Sequence, residues 1–373
     1  MPSVCVKVKA VILLVTSALP LSACRQQQSI VTDYHVDVDL LRTEEVSISD
    51  YFRDVDVIPL EAIDSAYLNV SCLSTYLVVE DKLIVLDRAE NSIKLFNLDG
   101  KWCGTLSKKG RGPGEYAMLT DVDYNKERRS VDILDASGKI LSYSIESGFP
   151  FIRELDIPYQ MKGLANFKST QTGYYLFSGY DSFVLRYWEP GSDGLFDVAG
   201  IPMVEQNRRA GYKTTGSPFY VFDEDIYYTD GPTGQVFRLV GKDALPHLSW
   251  DLGRFSFKSK LVDANKTGSS INELKRASNT MAGPFSAIRE TPSFVFANVL
   301  FMGRGVNIYY DKLSDSVHLF TRTQEGLVFS PGVVCEKFMY FLVPPEIAGQ
   351  VVPEEKLCFT NQDANYMLIK YSI

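Results

Sequence analysis

The sequence predicts an all-β protein, a six-bladed β-propeller whose ring is closed by an N-terminal strand pairing with the C-terminal blade. Three observations predict it. A strand–turn–strand–turn unit recurs along the chain, aromatic and β-branched residues gather in short runs, and a spare strand near the start matches a final unit one strand short.

The clearest copy of the unit places strands at Lys82–Asp87 and Ser92–Asn97, with turns at 88–91 and 98–101. It recurs at 131–135 and 139–144, at 226–230 and 235–239, and more loosely at 306–311 and 316–320. Apolar residues at alternate positions bury a strand face against a neighbouring sheet. Asp and Asn at strand ends bond to turn amides, and Gly supplies the positive φ that tight turns need. Six sheets are expected near 70–108, 118–157, 160–202, 216–252, 287–322 and 327–373. The last has clear strands at 337–343 and 366–373, and residues 55–61 supply its missing one. Closure of this kind leaves only short, protected sheet edges. The alternative, two stacked β-sandwich domains, is disfavoured because no linker or composition break divides the chain. One stretch, 269–280, has the spacing of a short helix in an insertion.

The start of the chain carries a different signal. Lys7 and Lys9 precede an apolar run over 10–19, about half of the ~20 residues a spanning helix needs. Length and flanks match an export signal. Leu21, Ser22, Ala23 and Cys24 follow, and this run resembles the bacterial lipobox, which implies lipid attachment at Cys24. The expected organisation is therefore a signal peptide over 1–23, a lipidated tether over 24–45 and the propeller over 46–373. Two or more acyl chains hold a protein on a membrane far better than one. No acidic residue follows Cys24 directly, which leaves the periplasmic and surface faces of the outer membrane both open.

Composition removes several function classes. The chain carries 38 basic and 46 acidic residues, a net charge of −8, and loses Lys7 and Lys9 with the signal. Nucleic-acid binding calls for a basic stripe, and Lys108, Lys109 and Arg111 make only a short cluster, so nucleic acid is not an expected partner. Cys5 leaves with the signal; Cys72, Cys103, Cys335 and Cys358 are read as buried thiols, with Cys335 and Cys358 the best disulfide candidates. Their spacing fits no metal-binding pair.

Residues 50–61, the 83–100 unit and the run Lys109, Gly110, Arg111, Gly112, Pro113, Gly114, Glu115, Tyr116 follow one another in order. Together they resemble the six-bladed β-propeller lipoproteins abundant in Bacteroides and its relatives, which share architecture with NHL-repeat and TolB-like propellers. The resemblance covers the mature chain and implies architecture and envelope location; that family has no general activity to carry over. Asn365 before Tyr366 departs modestly from the Asn-Pro that often precedes its final strand.

Four candidate chemistries remain. The 108–116 loop offers glycine amides and cations to an anion, but Gly112, Pro113 and Gly114 are better read as an inter-blade turn, with Arg111 and Glu115 paired or capping backbone and Tyr116 beside them. His35, His247 and His318 are the only histidines, with His35 in the lead-in and no nucleophile elbow, so a Ser-His-Asp site is not expected. Asp87, Asp135, Asp230 and Asp311 recur at equivalent positions, where a turn role outweighs a calcium ring. Tyr180, Tyr187, Trp188, Tyr212, Phe219 and Tyr220 lie in or beside the variable connections of blades three and four, where aromatic rings can stack on sugars or anchor a partner. The expected protein is a monomeric, cofactor-free binding or scaffold module for an envelope protein or glycan, held to the membrane by its lipid. A propeller lactonase, lyase or hydrolase with calcium in the channel is the alternative.

Overall fold

In a computed structural model the described residues are 33–69, 75–158, 163–178, 184–192, 194–201, 216–231, 234–256, 281–357 and 365–373. They form six sheets, five antiparallel ones of four strands and a sixth extended to five by a parallel strand.

The first three blades take the strands Tyr76–Val79 to Trp102–Leu106, Leu119–Asn125 to Phe151–Asp156, and Leu164–Ser169 to Leu195–Asp197. Blade four holds Phe219–Phe222 to Asp243–Asp251, and blade five Ala282–Glu290 to Ser316–Phe320. Blade six holds Val333–Cys335, Phe338–Val343 and Met367–Ser372, with Val55–Pro59 as its outer strand. The expected clasp is therefore present. Val55 faces Tyr371 and Ile58 faces Leu368 across an antiparallel pair. Pro59 sits at the outer edge, where a missing N–H costs nothing.

The central strands explain why the fold is a ring. In Lys82–Asp87, Ile84 and Leu86 pack toward blade two while Leu83 and Val85 pack toward blade six. In Phe294–Phe301, Val295, Ala297 and Val299 face blade four, whereas Phe294 and Phe296 face blade six. Each buried cluster thus joins two successive blades, and Leu83, Tyr340 and Leu368 join the last to the first. A strand buried on both faces needs a continuous apolar run rather than alternation. The expected one-sided burial is corrected accordingly.

Two boundaries differ from expectation. Blade five begins at Ala282, not 287. Tyr34–Asp37, expected in the lead-in, is the fifth strand of blade four, parallel to Asp243–Asp251 with Tyr34 opposite Leu248. Val36 is its buried anchor, packed with Leu248 and Trp250. The expected helix at 269–280 lies outside the described residues, among which no helix is long and apolar enough to cross a membrane.

Candidate functional site

The first strand of every blade lines one central cavity of about 680 Å³. That volume lies in the range of about 300–1,000 Å³ typical of small-molecule sites. Its wall is mostly apolar, with Val79, Val122, Phe167, Val221, Val334 and Ile347 among the lining side chains. Few charged groups reach it, and their pairing decides what the cavity can hold.

Lys168 and Asp123 neutralise one another at 2.6 Å, and the second oxygen of Asp123 accepts the Ser169 amide at 2.7 Å. Glu290 is fully enclosed. It accepts from Lys312 Nζ at 2.6 Å, Tyr220 at 2.8 Å and His247 Nε2 at 3.0 Å, while His247 Nδ1 meets Asp33 at 3.0 Å. Burial pushes the Glu290 carboxyl up, but His247 and Lys312 hold it below its ordinary value. Burial opposes the charged imidazole of His247, yet the bond and charge of Glu290, with Asp33 behind, keep its pKa raised.

Arg289 is different. Ala287 and Arg289 alternate on the strand Ala282–Glu290 and both line the cavity. Arg289 Nε donates to the Gly332 carbonyl at 2.8 Å and Nη1 to the Ile288 carbonyl at 2.7 Å. Among the described residues its guanidinium has no carboxylate partner, and the titratable groups bearing on it are the phenols of Tyr76 and Tyr220. Burial pulls its pKa below the ordinary value for arginine.

A polar ladder fixes the neighbouring wall. Asp121, Asp123 and Asn125 project from one face of Leu119–Asn125 toward blade three. They bond in turn to the Phe167 amide, the Ser169 amide and the Thr170 carbonyl. Burial pushes the Asp121 carboxyl up to about 7, with the Phe167 and Asn166 bonds opposing.

The residues singled out in the sequence have more structural duties. Glu115 accepts the Gly112 amide at 2.8 Å, capping its own turn, and Arg111 is exposed with no ion pair among the described residues, so the expected Arg111–Glu115 pair does not form. The buried Tyr116 hydroxyl lies 3.0 Å from the Asn91 carbonyl and 3.1 Å from that of Leu106, tying the loop to blade one. Tyr143 donates to the Gly114 carbonyl at 2.8 Å from blade two. Tyr187 and Trp188 are buried: Tyr187 bonds Thr172 at 2.7 Å, and Trp188 stacks on Tyr174. Neither offers an exposed face, because each packs between blades. Phe219 and Tyr220 are buried too but line the cavity.

Asp87, Asp135 and Asp311 turn their oxygens to backbone amides at strand ends, at Asn69, Met118 and Leu313 respectively, each within 2.9 Å. Asp230 ends the corresponding strand of blade four and is buried. His35 bonds Ser249 at 2.8 Å and, with Asp37 and Asp251, forms an exposed group whose ligand atoms lie within 4.8 Å of one another. His318 bridges Ser316 and Glu44 on the strand Ser316–Phe320. Cys103 and Cys335 are free thiols, half-buried where burial was expected; Cys24, Cys72, Cys358, Tyr180 and Tyr212 lie outside the described residues. Sequence reasoning missed Arg289 and Glu290, since an Arg-Glu pair in a strand, found also at Arg153 and Glu154, does not by itself mark a cavity.

Comparison with known proteins agrees with the architecture. A presumed exported protein of Bacteroides fragilis NCTC 9343 superposes with a TM-score of 0.73 at 17% identity, over 91% of this chain and 99% of that one. A member of the DUF4221 family from Bacteroides vulgatus gives 0.51 at 8% identity, over 86% and 96%. At such identities the likeness shows the fold alone. The search of curated proteins gave no match. A family model described as a domain of unknown function, DUF4934, matches residues 33–355, from the strand added to blade four through most of blade six, and the chain belongs to that family.

Proposed function

We propose that this protein is a cell-envelope lipoprotein, anchored through Cys24, whose propeller is a binding module for an envelope protein or glycan and whose central channel is the recognition surface. The observation that carries the reading is the cavity of about 680 Å³ walled by all six blades, with a guanidinium among apolar side chains that has no carboxylate partner among the described residues. Rigid strands hold its lining in place, which limits the ordering cost of binding. The lipobox-like run ending at Cys24 and the presumed export of the Bacteroides fragilis relative support the envelope location.

Two experiments test this. Replacing Cys24 with Ala should leave the protein unlipidated and release it from the membrane fraction; continued membrane retention contradicts the anchor. A photo-crosslinking residue at Ala287, in the channel, should yield a defined envelope adduct in cells. The same residue at Asp56, on the outer strand, should not. Identical adducts from both positions, or none from Ala287, contradict a channel that recognises a ligand.

A further inference from the structure

We infer that the channel takes a single carboxylate borne on an apolar body, held by Arg289. The inference rests on the channel being a recognition surface and names the chemistry that surface takes, in place of a glycan. Three features carry it.

The first is charge balance. Of the charged groups lining the cavity, Asp123 is matched by Lys168, and Glu290 is matched by Lys312 and His247. Arg289 alone among them lacks a countercharge among the described residues. A guanidinium withdrawn from water without an anion is unfavourable, and an incoming anion relieves that cost. One uncompensated positive charge matches a monoanion; a dianionic phosphate would leave a net negative charge in the same cavity.

The second is geometry. Nε and one hydrogen of Nη1 are committed to the Gly332 and Ile288 carbonyls, while Nη2 makes no hydrogen bond among the described residues. These two bonds fix the plane of the group. Both Nη2 hydrogens and one on Nη1 are left to donate, and a planar guanidinium held this way suits the oxygens of a carboxylate.

The third is the surround. The wall beyond Arg289 is built of side chains such as Val79, Val122, Val221, Phe329 and Val334, which favour hydrocarbon over a hydroxylated ring. The carboxylate can come from an aliphatic acid or from the C-terminus of a polypeptide ending in apolar residues.

The test uses two matched pairs of probes with the purified protein: octanoate with 1-octanol, and N-acetyl-trileucine as free acid with its amide. Calorimetry should show at least one acid binding about tenfold or more tightly than its neutral twin. The pair that discriminates names the source. Arg289→Gln should abolish the preference without changing the neutral twin's affinity, and Arg289→Lys should restore part of it. Ala287→Trp, which fills the channel and keeps Arg289, should block all four probes, with an unchanged melting temperature showing an intact fold. Equal binding of acid and neutral twin in both pairs overturns the carboxylate assignment while the channel stands as a binding site. Binding by no probe overturns the assignment as well, and the crosslinking at Ala287 then decides the wider reading separately.

Discussion

Asn365 donates through Nδ2 to the carbonyl of Ala66 at 2.9 Å, joining the entry to the last strand to the segment that follows the clasp. The same amide group donates to the Glu61 carbonyl at 2.9 Å, and its oxygen accepts the Leu68 amide at 3.1 Å. Asn365 is 2% exposed, so water cannot replace these bonds. Replacing it with Leu strands the buried Ala66 carbonyl and Leu68 amide, each worth about 1–3 kcal/mol, and loses the bond to Glu61. Asn365→Leu should lower stability by about 3 kcal/mol or more in urea unfolding. A loss under about 0.5 kcal/mol, the usual size for surface substitutions, would remove the residue from the closure.

Asp121 should make stability fall as pH rises. Its folded pKa of about 7 lies above the unfolded value near 3.8, so between those values the folded state binds the extra proton. The contribution is complete below the unfolded pKa and is lost as pH climbs through about 7. Asp121→Asn should gain stability relative to the native protein across that window, at up to about 1.4 kcal/mol per pH unit, and level off above it. Paired thermal unfolding at several pH values measures this. Parallel curves would contradict it.

Glu290 should matter most when His247 is charged. Glu290→Gln leaves Lys312 without its counterion in an enclosed site, a change that costs about 3–5 kcal/mol for buried pairs. The pKa of His247 is raised, so its share of the stabilisation is present below about 6.5, its unfolded value, and disappears as pH passes the folded one. The cost of Glu290→Gln, measured by chemical denaturation, should therefore be larger at pH 6 than at pH 9. An equal cost at both would show that His247 does not share the charge.

The loop of residues 108–116 should behave as structure. Tyr116→Phe removes a buried hydroxyl that serves the Asn91 and Leu106 carbonyls and should cost about 1–2 kcal/mol. Arg111→Ala, at an exposed and unpaired position, should change stability by less than about 0.5 kcal/mol. The opposite ranking in urea unfolding would give the loop's weight to the cation.

Much of the architecture was legible because it repeats. Lys82–Asp87 and its later copies carry both the apolar run and the Asp that caps the turn, and the spare strand around Ile58 has no other place to pair. Tyr34–Asp37 escaped notice because four residues with one buried anchor, Val36, carry too little periodicity. Tyr187 and Trp188 looked like surface aromatics beside a variable connection, yet a blade buries both faces of its strands. The channel charges were illegible for a further reason. Asp123 meets Lys168, and Glu290 meets His247, only after separate blades are brought together.

The circle itself is the claim on which the channel depends. Leu60 N donates to Tyr366 O at 2.9 Å and Ser372 N to Asp54 O at 3.0 Å, which makes Val57 and Ile369 a non-hydrogen-bonded pair between them. At such pairs Cα atoms stand about 4.5 Å apart, within reach of a disulfide. With both residues changed to Cys, mild oxidation of the folded protein should link positions 57 and 369 in a peptide identified by mass spectrometry, and the melting temperature should rise. Thiols at both positions that stay free and react independently would place the N-terminal strand elsewhere and contradict the closed ring.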